Sequence, residues 1–249
     1  MDQTYIKKKP FIKNLDQLLF GFPIISSYGV QDFLVDSSNE AAHKILSSEE
    51  LRPPHGLVIW GKPRVGKTHL SHVFQRTAKA IFLTEDDLMQ IRKGQDITVP
   101  HKTFIVDSLE DVVPSYQNEL FHLYNVLREK GGFLLITSQK SPGEWEIPLK
   151  DLESRLKTFL AIEVQTPSDS LLEAILTKKC TDLQIAAEPK VISYILTHGE
   201  RSPDALQKLL EDLDYFAFSQ GQKITIPLIK TFMDQQLAER EGFEPSIRD

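Results

Sequence analysis

Several absences narrow this 249-residue chain before any motif is read. It has one cysteine, Cys180, so it can close no internal disulfide and offers no CxxC zinc ligand pair. A single thiol fits a reducing compartment and is expected to behave as a small buried apolar residue. No apolar run comes near the ~18 residues that would suggest a membrane helix. The N-terminal stretch MDQTYIKKKP carries lysines with no apolar stretch behind them, so it is not read as a secretory signal. These readings place the protein in the cytoplasm, away from membranes. Positive charge is also scarce. Against 35 acidic residues there are 29 Lys and Arg, a net charge of −6, which disfavours a surface that grips nucleic acid throughout by neutralising phosphates. Lys7, Lys8 and Lys9 make a short basic run within that balance. There is no internal repeat and no low-complexity tract.

What is present suits an ordinary globular fold, with 41% hydrophobic and 26% charged residues. A chain of this size buries about 70% of its unfolded surface, as one large domain or two small ones. Short apolar runs at 56–60, 80–83, 103–106, 133–136 and 160–164 read as buried strands. Helical patterns lie between them at about 69–78, 86–91, 115–130 and 152–159, with another at about 39–46. Buried strands alternating with helices predict an α/β fold whose parallel sheet is covered on both faces. After Thr166 and Pro167 the strands cease. The runs 168–181, 189–198, 203–219 and 227–237 read as helices, three of them opened by Pro189, Pro203 and Pro227 in a first turn. The expected division is therefore a loop-like N-terminal segment over 1–30, an α/β domain over 31–166, a small all-helical domain over 167–238 and a polar tail over 239–249.

One motif carries chemistry. Gly61-Lys62-Pro63-Arg64-Val65-Gly66-Lys67-Thr68 matches the phosphate-binding loop GxxxxGK[ST], with a buried strand running in and an amphipathic helix running out. Its glycines let backbone N–H groups curl around phosphate oxygens, and the helix that follows aims its positive end at the same point. Lys67 would reach the β and γ phosphates and Thr68 would offer its hydroxyl to Mg2+. The strand at 103–106 ends in Asp107, the acid such a loop needs near the metal. Alone, an aspartate at a strand end would be read as a cap.

Taken together with QLLFGFP (17–23), DFLVDSSNEAA (32–42), VDSLE (106–110), LLITSQKSP (134–142), DLESRL (151–156) and KITIPLIK (223–230), the loop resembles the DnaA-related AAA+ family of bacterial replication proteins, most closely its short Hda branch. The resemblance runs over about 16–237. It implies a P-loop AAA+ domain followed by a helical lid. ADP or ATP with Mg2+ is the implied cofactor, and Phe33, Leu34 and Asn39 are candidates for the base pocket, although Phe33 and Leu34 would equally suit the core. Thr137 or Ser138 would be the polar sensor near the γ-phosphate, or merely cap a strand. Arg155 would be an arginine finger reaching a neighbouring subunit's nucleotide. Gln17, Leu18, Leu19, Phe20 and Phe22 resemble the peptide that docks on the DNA polymerase III β sliding clamp.

Two departures stand out. The family's initiators carry a second acid where this chain has Ser108, with the next acid at Glu110. The lid arginine expected near the phosphates falls at Asp204, with Arg201 a turn upstream as a substitute. Both imply slow intrinsic hydrolysis and an ADP-bound regulator, and the absence of an initiator's DNA-binding domain implies no sequence-specific duplex binding. The resemblance thus implies an adaptor that holds the clamp and promotes hydrolysis of ATP on DnaA. Self-association is left open. The competing reading is a self-contained AAA+ ATPase of the helicase-loader type.

Overall fold

Four- and five-residue apolar runs are too short to bury a helix but long enough to cross a sheet, and that is where they go. The computed structural model describes residues 33–98 and 101–240. The strands β1 (Gly56–Trp60), β2 (Ile81–Phe82), β3 (Thr103–Val106), β4 (Phe133–Ser138) and β5 (Leu160–Glu163) form one parallel sheet in the order β2-β3-β4-β1-β5. Successive side chains point to opposite faces. Leu57, Ile59, Ile105 and Leu135 therefore meet Leu46, Leu70 and Phe74 on one side. Val58, Phe104, Val106, Leu134 and Ile136 meet Leu88, Leu120, Leu123 and Leu152 on the other. The first layer comprises α1 (Glu40–Ser47) and α2 (Lys67–Ala78). The second comprises α3 (Glu85–Arg92), α4 (Leu109–Lys130) and α5 (Lys150–Leu156). Burial on both faces is why β1, β3 and β4 read as unbroken apolar runs, whereas β5, expected as a buried strand, lies at the sheet edge with Leu160 46% exposed.

The four remaining helices, α6 (Asp169–Asp182), α7 (Pro189–His198), α8 (Pro203–Ser219) and α9 (Ile226–Arg240), have a core of their own built on Leu172, Leu176, Ile195, Leu206, Leu210, Leu213 and Ile229. Two starts are capped by serine. Ser168 Oγ accepts from Leu171 N at 3.1 Å and Ser202 Oγ from Ala205 N at 3.2 Å. Cys180 is buried in this core, and burial pushes its thiol upward, as expected of an inert cysteine. Among the described residues no helix is long and apolar enough to cross a membrane.

Two elements differ from the sequence expectation. Helix α4 begins at Leu109 rather than residue 115, because a first helical segment precedes Pro114. The backbone leaves helical geometry at Tyr116 (φ −136°, ψ 25°), so the two segments join at a kink. A proline inside a helix withholds a donor and crowds the preceding turn, which is why the pattern suggested a start beyond it. Helix α5 lies two residues earlier than expected, and a tight turn follows it, with Thr158 N and Phe159 N each 3.1 Å from the carbonyls of Arg155 and Leu156.

On α8, Leu210 is wholly buried and Tyr215 is 59% exposed. Leu210→Ala should lower the free energy of urea unfolding by about 2–5 kcal/mol, whereas Tyr215→Ala should change it by no more than about 0.5 kcal/mol.

Candidate functional site

The parallel register brings the carboxyl ends of β1, β3 and β4 to one edge. Ile59 pairs with Thr137, Trp60 with Ser138 and Val106 with Ile136. Whatever follows each strand must therefore meet at that edge, where open α/β sheets bind ligands. The phosphate loop follows β1. Gly61 has φ +151° and packs against the Val164 carbonyl, where a Cβ would lie 2.2 Å from that oxygen. Gly66, at φ +101°, caps α2 in a left-handed conformation that only glycine takes without strain. These two positions explain both glycines of the motif.

Lys67 opens α2 and its side chain folds back into the loop. Its Nζ donates to the carbonyls of Gly61 and Lys62, both at 2.8 Å. Burial pulls the ammonium below the usual lysine range, and the carboxylates of Glu110 and Asp107 oppose that shift. The next residue, Thr68, donates from Oγ1 to Asp107 Oδ2 at 2.9 Å. The other carboxylate oxygen of Asp107 accepts from Thr137 Oγ1 at 2.6 Å, and Thr137 Oγ1 accepts the Ser108 N–H at 2.7 Å. A chain of hydrogen bonds thus joins the ends of β3 and β4 to the first turn of α2. Thr137, expected as a sensor or a cap, holds Asp107 in place. Ser138 instead lies 2.7 Å from Glu110 Oε1 and receives the Trp145 indole N–H at 2.9 Å. Glu110 Oε1 also accepts from Gln139 N, while its Oε2 is buried and, among the described residues, has no hydrogen-bond partner. Sequence spacing marked Glu110 only as the next acid after Asp107. Its anchoring on β4 beside Lys67 depends on strand order.

A cleft between the sheet edge and the helical cluster is lined by Val65 and Gly66 of the loop and by Phe33, Leu34 and Asn39. Phe33 and Leu34, candidates for a base pocket, thus line a cleft beside the loop. Asn39, however, is spent within its own loop: its Nδ2 donates to the Leu34 carbonyl and its Oδ1 accepts from Asp36 N, both at 3.1 Å. Phe33 lies parallel to His43, with centroids 5.3 Å apart, and meets His69 edge-on at 5.2 Å. His69 lines the cleft too, a residue the sequence reading does not single out. The sequence signal was its place one residue after Thr68, on the first turn of α2. Burial raises the Asp36 carboxyl, but donors from Ser38 and Ser168 outweigh it and hold the group below the usual aspartate range. The Ser168 hydroxyl, 2.7 Å from Asp36, ties this loop to the start of α6.

The helical cluster adds Leu171, Ile175, Lys178 and Asp204 to the cleft. Asp204 is open to water at the cleft's lip but crowded by protein elsewhere. Desolvation raises its pKa, and Arg64 partly opposes the shift. Arg201 is not in the cleft; it pairs with Asp169 at the start of α6, so it does not replace a phosphate-reaching arginine. Within the loop, Arg64 has a positive φ of 62° and turns its guanidinium to Glu200 across the cleft, while Lys62 contributes its carbonyl. Pro63 follows Lys62 in the turn of the loop.

Arg155 lies apart from all of these. Its guanidinium sits over the rings of Phe121 and Tyr124, 5.7 Å from each centroid, beside a cavity that none of the loop residues lines. Gln17, Leu18, Leu19, Phe20 and Phe22 lie outside the described residues. Among the described residues no cluster of three His, Cys, Asp or Glu side chains could hold a metal by itself. One hydroxyl and one carboxylate, Thr68 and Asp107, are hard oxygen donors of the kind Mg2+ accepts alongside phosphate oxygens and water, so they fit that ion as a shared ligand set.

Thr137 is 1% exposed. Thr137→Val would leave the Ser108 N–H without an acceptor and should cost about 1–3 kcal/mol of stability. Thr137→Ser, which keeps the hydroxyl, should lose less in the same urea titration.

Comparison with known proteins agrees with this geometry. Residues 169–233 match the model of the Hda lid domain. The chain is 26% identical over 235 residues to the chromosomal replication initiator protein DnaA of Wolinella succinogenes, covering 86% of this chain and 53% of that protein. It spans about half the length of the curated relatives it matches. Domain III of Thermotoga maritima DnaA superposes with a TM-score of 0.73 at 16% identity, covering 84% of this chain and 96% of that one. AMPPCP-bound DnaA from Aquifex aeolicus gives 0.65 at 19% identity, over 78% of this chain and 67% of that one. The helical region over 169–233 thus matches the Hda lid domain, and the loop-bearing sheet with that region shares the fold of DnaA domain III.

Proposed function

We propose that this protein binds adenine nucleotide in the cleft and, held on the DNA polymerase III β sliding clamp by Gln17 to Phe22, promotes hydrolysis of ATP bound to DnaA, acting in the cytoplasm as a regulator of replication initiation. The phosphate end of the cleft supports the first part. Lys67 would exchange the Gly61 and Lys62 carbonyls for phosphate oxygens, and the Gly66-capped α2 would direct its N–H groups at the same anion. Thr68 and Asp107 would hold Mg2+, which would neutralise phosphate charge when bound. A relative in this fold has been seen with AMPPCP. The cleft encloses about 90 Å3. Small-molecule sites commonly hold about 300–1,000 Å3, so the lid would swing outward to admit a nucleotide.

The observation that carries the regulatory reading is the position of Arg155. It lines a cavity that shares no residue with the cleft, and among the described residues it forms no ion pair. An arginine finger presented in this way stabilises charge developing on a neighbour's γ-phosphate, worth roughly 10³–10⁵ in rate where such fingers act in trans. This chain's own site is ill equipped for hydrolysis. Ser108 stands where the initiators' second acid would orient water, and the carboxylate of Asp204 faces the cleft. The same acid favours ADP over ATP, because a third phosphate adds negative charge beside it.

Lys67→Ala should abolish ADP binding in a calorimetric titration; undiminished affinity would show that the nucleotide sits elsewhere. In a DnaA–ATP hydrolysis assay with DNA-loaded clamp, wild type should accelerate hydrolysis. Arg155→Ala should not, while keeping its own nucleotide affinity, and the Gln17→Ala/Leu19→Ala variant should lose clamp binding and stimulation together. Hydrolysis of ATP by the isolated protein at rates near ~1 s⁻¹, within the range of working enzymes, would favour the self-contained ATPase instead.

A further inference from the structure

The cavity beside Arg155 is not built around one cation. About 380 Å3 in volume, it lies between the C-terminal turn of α4, helix α5 and the turn that leads into β1. Arg128 projects into its lining from α4 and Arg155 from α5. The one carboxylate among its lining residues is Asp151, and it is not within ion-pair distance of either arginine; among the described residues both guanidiniums lack an ion pair. The cavity therefore holds two guanidiniums against one carboxylate, with neither arginine ion-paired among the described residues.

Two further features give it the character of a prepared site. The Arg155 guanidinium is held against the rings of Phe121 and Tyr124, which limits its freedom while leaving its N–H groups available. The third basic side chain in the lining, His55, sits at φ +74°, a left-handed conformation that costs a non-glycine residue energy and concentrates at functional positions. That conformation turns the chain immediately before β1, and the His55 carbonyl accepts the Leu134 N–H at 2.9 Å, locking the turn to β4.

We propose that Arg128 and Arg155 form a two-arginine site for phosphate oxygens presented by a partner, with His55 as a third donor, so that Arg128 is a second catalytic cation for the partner's nucleotide. The inference rests on the trans-acting reading of Arg155 and goes beyond it by assigning Arg128 and His55. Two forked guanidiniums can share the three oxygens of a terminal phosphoryl group, which one cannot do alone. Because α4 and α5 carry one arginine each, the distance between the charges is set by the packing of the two helices rather than by a flexible loop.

Arg128 also lies in the last turn of α4, where any cation complements the helix dipole. Its lysine variant separates that role from the proposed one. In the clamp-dependent DnaA–ATP assay, Arg128→Ala should lower the maximal stimulated rate at least tenfold, with unchanged ADP affinity and urea midpoint. Arg128→Lys keeps the charge but not the fork, and should restore only part of the rate. Full restoration by lysine, or wild-type stimulation by Arg128→Ala while Arg155→Ala is inactive, overturns the two-arginine site and leaves the Arg155 reading standing. If Arg155→Ala stimulates normally, the trans reading itself has failed. A binding measurement then still tests the cavity. Inorganic triphosphate titrated into the Lys67→Ala protein should bind with an affinity that Arg128→Ala weakens severalfold, and identical titrations of the two proteins overturn the proposal.

Discussion

Asp107 accepts one hydrogen bond from Thr68 at the start of α2 and another from Thr137 at the end of β4, and Thr137 in turn receives the backbone N–H of Ser108. That one carboxylate spans three segments separated in sequence by 39 and 30 residues. The rest of the site hangs on it. It places the Thr68 hydroxyl, faces Lys67 with negative charge and keeps β3 level with β4. Hydrogen bonds to a charged group contribute more than neutral ones, and the half-buried Thr137 side of this chain is costlier to leave unpaired than the exposed Thr68 side. The sheet supplies the scaffold for this arrangement because parallel strands deliver all their carboxyl ends to one edge.

Charge across the cleft is distributed in an unusual sense. The loop supplies the arginine, Arg64, and the lid supplies the acids, Glu200 and Asp204. The ion pair between Arg64 and Glu200 is exposed on both sides, and pairs of that kind contribute little, ~0–1 kcal/mol, less in salt. It can orient the lid without holding it firmly shut. The Ser168 hydroxyl on Asp36 and the Gln165 N–H on the Ser38 carbonyl, at 3.0 Å, add a second tether at the opposite end of the cleft. A lid held only by such bonds moves at small cost.

The two basic regions serve opposite directions. Lys67 is inward, backed by Glu110 and Asp107, and its charge is partly compensated before any ligand arrives. Arg155 and Arg128 line a separate cavity and form no ion pair among the described residues. A protein that used its nucleotide only for its own chemistry would have no need of the second arrangement. A protein that lends charge to a partner's site would need both, the first to hold its own nucleotide and the second to act.

Much of this was legible without coordinates. Local pattern determined the strand runs, the proline-started helices and the phosphate loop, because burial on two faces, helix periodicity and glycine turns each leave a signature within ten residues of chain. The strand-end position of Asp107 followed from the same logic. Other features depended on which strands are neighbours. Thr137 became a partner of Asp107 because β4 lies beside β3, and Glu110 was fixed on Ser138 for the same reason. His69 met Phe33, Arg201 turned to Asp169, and Arg64 reached Glu200 over 136 residues of sequence. The start of α4 also escaped the pattern, since packing of Leu109 and Val113 into the core sustains a helical segment ahead of Pro114. Sequence periodicity records which side of an element faces the core. It carries no record of which element lies opposite, and side-chain pairing, charge compensation and the meeting of Arg128 with Arg155 in one cavity are all properties of that second choice.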